Sequence, residues 1–525
     1  MKNQPDAKRK GILAGLALLG LAAGGGQAAD RMPLLMPDDF ESLQLAGWRV
    51  EEGQPDHGNP LLEPAMPWDA GSIMGHGTVL HDPIDGLWKA WQVSTPMEAQ
   101  MDGLTSAHER RRRLTYLESK DGVHWERPRL PLVSWPGHPR TNILLDFDSG
   151  GTAQYASVLI DPKNRSEPYE MFALRSPKQA GVADKVGALP GPSEKYGMYR
   201  YRSQDGKAWR LVEGPLEIKG GTDVCYVYRQ PDGAYVAYFK VYPPKEDGDR
   251  IIPYDVNAKQ LLRRVGRATS PDGTHWSEAA TVFGRDFRDS DFAQFLEICP
   301  VPVDGGYVAL ANYYDASIQT MCLVFAASRD GIHWWRPDRR PALPNPPLGD
   351  FGGGLMWQMR QPIIEDGRMQ VYYSGTEGIH SAIIDTRFQP QIETGNESVL
   401  GFRKGTLPFY GALCRASWAA DRLWALAPAA GGALAAVAVT HPGRHSGQRL
   451  ALNVKVKQGG ELRAELLDAS GHPVPGFTEA ESAPITGDHN SIELRWAGGD
   501  RAPAAAVKVR FVLRRAFLYG YRWSE

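Results

Sequence analysis

The sequence has little of what marks several common classes of protein. Only four cysteines occur, Cys225, Cys299, Cys322 and Cys414, and they form neither a CxxC pair nor a zinc-like spacing. The formal net charge is −2, so no basic surplus favours nucleic acid as a partner. A phosphate-binding glycine loop and a nucleophile elbow are both missing. The sequence therefore gives no support for a zinc, nucleotide or nucleic-acid protein, and we expect no cofactor.

Long apolar runs are missing beyond the N-terminus. Residues 1–10 are basic, residues 11–26 are apolar, and small residues precede Asp30. This order is typical of a secretory signal, and its apolar core is shorter than the roughly 20 residues that span a membrane. We predict a signal peptide over residues 1–29, cleavage near Ala28 or Ala29, and an exported protein, periplasmic or secreted, without a membrane span.

An exported location would permit one disulfide. The pair Cys299–Cys322 could bridge neighbouring strands. Four buried thiols are the simpler alternative, and the sequence leaves both open.

Turn-forming and aromatic residues are abundant, with 57 Gly, 40 Pro, 15 Trp and 20 Tyr. They recur in one phrase, SxDGxxW, which starts at Ser119, Ser203, Ser270 and Ser328. An Asp-Gly pair tolerates positive φ and links two strands tightly. The segments before the phrase, such as RRLTYLES and MCLVFAAS, have strand-like composition. The phrase therefore predicts four strands that run into structural turns.

A further hairpin precedes each of these strands, and a fifth follows them. The five hairpins start at Gly77, Tyr155, Thr222, Leu296 and Met359. Five units of about four strands predict a five-bladed β-propeller over residues 30–395. The later alternation of apolar and polar residues predicts a C-terminal β-sandwich over residues 396–525. The expected fold class is all-β.

Taken together, these features resemble the five-bladed propeller glycosidases of the arabinanase, levansucrase and invertase type, in glycoside hydrolase families 32 and 43 and their uncharacterised bacterial relatives. The resemblance rests on PWDAGSIMGHGTVLHD, TNILLD, SRDGIHWWRPDRRP, YYSG, PVPGF and LYGYRW. It implies a hydrolase that degrades a poly- or oligosaccharide, with furanosidic bonds of arabinan or fructan as candidates. It also implies paired carboxyl groups, one protonated and one ionised, at one mouth of the central channel. A structural calcium ion in the channel is left open.

Two acids stand near the starts of predicted inner strands. Asp223 and Glu297 precede Tyr235 and Tyr307 by twelve and ten residues, and even offsets place side chains on the same face of a strand. Glu297, in LEICP, is similar to the Glu-Cys-Pro motif that carries the acid/base of family 32, with one residue inserted. Asp291, on the loop that enters the same unit, is a further catalytic candidate. We predict Glu297 as general acid, with Asp223 as one candidate for the ionised partner.

A third candidate comes from the first unit, where Asp69 in PWDAG competes with Asp82 in HDPIDG. The pair Asp161-Pro162 repeats the position of Asp82 in the second unit. A repeated position is typical of a turn residue, so we predict a catalytic role for Asp69 and a structural role for Asp82.

Sugars are bound by aromatic faces and planar hydrogen-bonding groups. The predicted substrate-binding residues are His76, Trp68, Tyr155, Trp357, Gln358, Arg360 and His380. We predict no catalytic metal, a carbohydrate as the partner, and a monomer or a simple homo-oligomer.

Three other functions remain as alternatives. A sialidase is disfavoured because its Asp-box separates Asp from Gly, whereas the two are adjacent in all four phrases here. A glycoside phosphorylase would require a phosphate site, which the sequence does not reveal. A non-catalytic carbohydrate-binding propeller would have a channel without paired carboxylates.

Overall fold

A computed structural model of the chain describes residues 32–70, 72–95, 113–145, 153–175, 197–218, 225–230, 232–242, 262–380, 411–429 and 434–525. These residues form β-strands joined by turns. Their one helical element is a short 3-10 helix at Pro37–Asp39. The all-β class is confirmed. The described residues accordingly offer no helix that could serve as a transmembrane segment.

Twenty-three strands precede residue 420. They are β1 (Phe40–Gln44), β2 (Ala46–Val50) and β3 (Gln54–Pro55); then β4 (Ser72–His81), β5 (Trp88–Thr95), β6 (Arg113–Ser119), β7 (Trp125–Glu126) and β8 (Ile143–Leu145); β9 (Ala153–Ile160), β10 (Tyr169–Arg175), β11 (Gly197–Ser203) and β12 (Arg210–Leu216); β13 (Cys225–Arg229), β14 (Tyr235–Val241), β15 (Arg264–Ser270) and β16 (Ala280–Phe283); β17 (Ala293–Val303), β18 (Gly306–Asp315) and β19 (Thr320–Ser328); and β20 (Leu355–Gln358), β21 (Ile363–Glu365), β22 (Arg368–Thr376) and β23 (Gly411–Ala419).

The strands pair in groups that follow the five predicted hairpins. Unit 1 is the sheet of β4 to β8, unit 2 that of β9 to β12, and unit 3 that of β13 to β16. Unit 4 (β17 to β19) and unit 5 (β20 to β23) share one sheet through a parallel bridge between Met321 and Leu355. The outer strand of unit 5 is β3, which pairs with β23. The N-terminal part of the chain thus completes the last unit.

The repeated SxDG phrase forms the same turn in units 1 to 4. In unit 1 the Ser119 hydroxyl accepts a hydrogen bond from the Gly122 amide at 2.9 Å, and Asp121 Oδ1 accepts from the amides of Val123 and His124, each at 2.8 Å. The other three phrases repeat these bonds within 0.1 Å. The turn is self-contained, because its own side chains satisfy its own amides.

An aromatic side chain of one unit rests on the turn of the next. The Trp91 indole of unit 1 donates to the Gly206 carbonyl of unit 2 at 2.6 Å. Tyr238 of unit 3 donates to Gly331 of unit 4 at 2.7 Å. Tyr372 of unit 5 donates to Gly122 of unit 1 at 2.8 Å, which links the last unit to the first.

A fifth sheet contains both ends of the described chain. It comprises β1, β2, β24 (Trp424–Pro428), β25 (Ala436–Thr440), β26 (Arg449–Leu467), β27 (Asp488–Glu493) and β28 (Lys508–Ser524). β1 pairs with β25 and β2 with β24, and Phe40 packs in the same core as Leu452 and Phe511. Residues 40–50 are therefore part of the C-terminal sheet.

The four cysteines are buried and free. Cys299 lies on β17 and Cys322 on β19, with β18 between them in the sheet. The structure thus shows the four-thiol alternative and no Cys299–Cys322 disulfide.

Candidate active site on the first strands of the units

The first strands of the units lie side by side and bond to one another through side chains. The Thr78 hydroxyl of β4 donates to the Ala156 carbonyl at 2.7 Å and accepts from the Val158 amide at 3.0 Å, both on β9. The Ser157 hydroxyl of β9 accepts from the Val227 amide of β13 at 2.9 Å. Equivalent positions thus follow one another from unit to unit.

The contacts between neighbouring units continue through units 3, 4 and 5. Cys299 is among the groups that raise the pKa of Tyr226, and the Gln361 backbone lowers the pKa of Cys299, so these groups lie near one another. The Arg360 amide donates to the Gly77 carbonyl at 2.7 Å, which returns to β4. We call the set Thr78, Ser157, Tyr226, Cys299 and Arg360 the inner ring.

Three first strands carry a bulge just before their inner-ring residue. His76 and Gly77 together face Gln92 in the ladder of β4 and β5. Irregularities of the same kind occur at Tyr155 on β9 and at Glu297 on β17. His76 and Tyr155 have φ of 51° and 54°, which non-glycine residues seldom adopt. Bulges turn side chains out of the normal alternation, and here they act on three predicted site residues.

Glu297 is the acid that the structure places among these strands. Its exposed fraction is 1%, and neither carboxyl oxygen makes a hydrogen bond to a described residue. Burial raises the pKa of Glu297 to about 8, while the Tyr226 hydroxyl, the Lys240 charge and the Gln358 backbone act in the opposite direction. Glu297 therefore carries a proton at neutral pH.

Aromatic rings from several units surround His76. Its ring centroid lies 4.7 Å from that of Tyr155 and 4.4 Å from that of Trp357. Trp357 in turn lies 6.2 Å from His380, which is 5.1 Å from Tyr314. The Trp357 indole N–H has no hydrogen-bond partner among the described residues. Four predicted substrate-binding residues thus form one aromatic cluster.

Gln358 and Arg360, both predicted as substrate-binding, are buried. The Gln358 amide nitrogen donates to Asn312 Oδ1 at 2.6 Å and to the Leu310 carbonyl at 3.1 Å. Arg360 Nη1 donates to the Val158 carbonyl at 2.5 Å, and its guanidinium lies 4.6 Å from the Tyr228 ring centroid.

Asp69 and Trp68 belong to a separate group of contacts. Asp69 Oδ1 accepts from the Ala65 and Met66 amides at 2.9 and 2.7 Å, and Oδ2 pairs with Arg127 at 2.8 Å. The Trp68 indole donates to Asn142 at 2.7 Å. Both Asp69 oxygens are occupied, as in a carboxylate that fixes a turn.

Of the two other predicted acids, Asp291 is not brought to Glu297 and Asp223 cannot be placed. Asp291 is exposed on the turn before β17, 3.7 Å from Arg285. Asp223 lies outside the described residues. Asp82 accepts from Lys89 at 2.6 Å and Tyr169 at 2.5 Å in the hairpin turn, the position that its repeat indicated.

Tyr226, Tyr314 and Lys240 were not predicted as site residues. The sequence held a signal for Tyr226, because Tyr226 and Tyr228 alternate on a strand and must share a face. Among the described residues, no three His, Cys, Asp or Glu side chains converge as metal ligands would.

No protein-family model matches the chain, and no curated protein matches it. Among solved structures, one named as a glycoside hydrolase has a TM-score of 0.44 at 12% identity, covering 71% of this chain and 92% of that one. A β-1,2-mannobiose phosphorylase from Listeria innocua also has a TM-score of 0.44 at 12% identity, covering 71% and 98%. An N-acetylgalactosamine deacetylase from F. plautii has a TM-score of 0.42 at 15% identity, covering 71% and 96%. Likenesses of this strength carry no argument about activity or substrate.

Proposed function

We propose that the chain is an exported glycoside hydrolase whose five units form a five-bladed β-propeller, followed by a C-terminal β-sandwich. Its substrate would be a poly- or oligosaccharide, with furanosidic linkages as candidates. Export rests on the signal-like order of residues 1–29.

Contacts between successive units support the ring arrangement. Unit 1 contacts unit 2 through Trp91, unit 3 contacts unit 4 through Tyr238, and unit 5 contacts unit 1 through Tyr372. Arg200 of unit 2 donates to the Asp272 carbonyl of unit 3 at 3.0 Å. With the bridge between units 4 and 5, every unit contacts two others among the described residues, which supports a propeller.

The protonated, buried Glu297 is the observation that carries the catalytic proposal. Glycoside hydrolysis requires a carboxylic acid that gives its proton to the leaving oxygen. A pKa of about 8 keeps Glu297 protonated at neutral pH, and both oxygens remain without hydrogen bonds to described residues. An acid held in this state is poised to donate rather than to stabilise the fold.

The second carboxyl group in the proposal is Asp223. Asp69 is left out because Arg127 and two amides occupy its oxygens, and Asp291 is left out because it is exposed. Asp223 would remain ionised and act on the opposite face of the sugar from Glu297, either as nucleophile or as base toward water.

The aromatic cluster of His76, Tyr155 and Trp357, whose members are only 2%, 4% and 5% exposed, is the proposed sugar-binding site. Ring faces stack on the C–H face of a sugar, while the unbonded Trp357 N–H supplies a donor for a hydroxyl.

Hydrolysis by the purified mature chain tests the proposal. Arabinan, fructan, galactan and bacterial surface glycans should be screened with and without inorganic phosphate, and the products identified. Release of free sugars that does not depend on phosphate is expected. Sugar phosphates that form only with phosphate would replace hydrolysis with phosphorolysis. Binding of a glycan without turnover would replace the enzyme with a carbohydrate-binding protein.

A further inference from the structure

The chain is tightly packed from the first residue that the structure describes. Met32, Leu34, Leu35 and Met36 are each only 2–6% exposed. We call residues 32–36 the N-terminal segment. The ends of a domain are commonly loose unless something ties them down, so the burial of this segment means that specific contacts hold it.

The N-terminal segment contributes to two hydrophobic cores. Leu35 belongs to the core of the C-terminal sheet, together with Leu452. Leu34 and Met36 belong to the core shared by units 4 and 5, together with Leu323 of β19. Alternate side chains of an extended chain point to opposite sides, and Met36 has extended backbone angles. The segment thereby connects the C-terminal sheet to units 4 and 5.

The backbone of the segment is held as well. The Trp424 indole donates a hydrogen bond to the Leu35 carbonyl at 2.7 Å. A Cβ added at Gly520 of β28 would lie 2.7 Å from the Pro33 carbonyl oxygen and 3.0 Å from the Met32 Cβ. The chain therefore runs directly against β28, and its contacts reach back to Met32 itself.

The predicted signal-peptide cleavage site, which lies outside the described residues, closely precedes this segment. Cleavage after Ala28 or Ala29 leaves only two or three residues before Met32. Three residues span at most about 11 Å even when fully extended. A protease cuts chain that is exposed or that opens before it is cut, and it holds extended residues on both sides of the bond. With Met32 packed, too little free chain follows the site to enter a protease.

We propose that packing of the N-terminal segment shields the signal-peptide cleavage site, so that the site must be cut before the segment packs. Cleavage is hydrolysis of the peptide bond after Ala28 or Ala29 by a signal peptidase, with water as the co-reactant. A chain that folded first would keep its signal peptide. The inference rests on the exported part of the proposed function and is independent of the hydrolase activity. It implies export of the chain with this segment still unpacked.

Cleavage of the full-length precursor by a purified signal peptidase in detergent micelles tests the shielding. One variant carries a flexible Gly/Ser spacer of about ten residues between Arg31 and Met32, which moves the site away from the packed segment. The matched control carries the same spacer between Ser470 and Gly471, in a turn of the C-terminal sheet. Cleavage follows the population of the open form, so the folded precursor and the control should be cut at least about ten-fold more slowly than the first variant.

Peroxide oxidation of Met32 and Met36, read by mass spectrometry in the same samples, reports whether the segment is packed. Both side chains are buried, so they should resist oxidation in the folded precursor and oxidise after unfolding. Equal cleavage rates of the folded precursor and the first variant, or ready oxidation in the folded precursor, would overturn the proposal. A peptidase that cuts neither the first variant nor the unfolded chain would instead refute the export proposal on which this inference rests.

Discussion

Substitution of Gly206, in the turn of unit 2, should destabilise the contact between units 1 and 2. Gly206 has φ of 73°, and a Cβ there would lie 2.9 Å from Trp91 Cζ2 and 3.3 Å from the Tyr169 ring. An alanine in this left-handed conformation costs about 1–2 kcal/mol. Crowding against the packed rings adds about 1–3 kcal/mol. Gly206→Ala should therefore cost about 2–5 kcal/mol in all.

Gly86→Ala is the matched control for backbone strain. Gly86 has a nearly identical φ of 72°, but an added Cβ would have no atom within 4 Å. It should cost only the 1–2 kcal/mol of the left-handed conformation. Because a chain of this size need not unfold in two states, the two variants are compared by calorimetric unfolding midpoints under one set of conditions. Equal shifts in both variants would refute the reasoning that the aromatic ring presses on the turn.

Three further predictions concern other parts of the chain. Asp82→Asn removes one of two acids from the buried Lys89 and should lower the stability by up to about 3–5 kcal/mol, with unchanged specific activity of the folded fraction; a normal melting curve with lost activity would contradict this. Because the Glu297 pKa is raised from 4.5 to about 8, the wild type should lose stability as pH rises between these values, and Glu297→Gln should remove that slope in pH-dependent melting. Mass spectrometry of exported protein should find a mature start near Asp30, not the intact N-terminus.

The strands and turns of units 1 to 4 could be predicted from the sequence because their signals are local. An Asp-Gly pair fixes a turn through its own backbone freedom, and the strand before it shows its own alternation. β6 and β19 end at Ser119 and Ser328, the first residues of their phrases.

Pairings between distant segments could not be predicted in this way. β3 pairs with β23 across more than 350 residues, and β1 pairs with β25. Nothing in the composition of residues 40–55 identifies those partners, because an edge strand pairs through its backbone.

The candidate site could be predicted from the sequence only in part, for a related reason. Bulges at His76, Tyr155 and Glu297 change the register within a strand, and a one-residue shift reverses the face of a side chain. Glu297 accordingly lies within β17, which begins at Ala293, and not at its start.

The proton-donor role of Glu297 is the central claim, and the turnover of Glu297→Gln tests it most directly. The variant should lose roughly 10²–10⁴-fold in turnover on a natural glycan with a poor leaving group. The loss should shrink on an activated aryl glycoside, whose leaving group needs little protonation. Full activity of Glu297→Gln on the natural glycan, together with loss of activity in folded Asp82→Asn, would contradict the account and move the chemistry to Asp82.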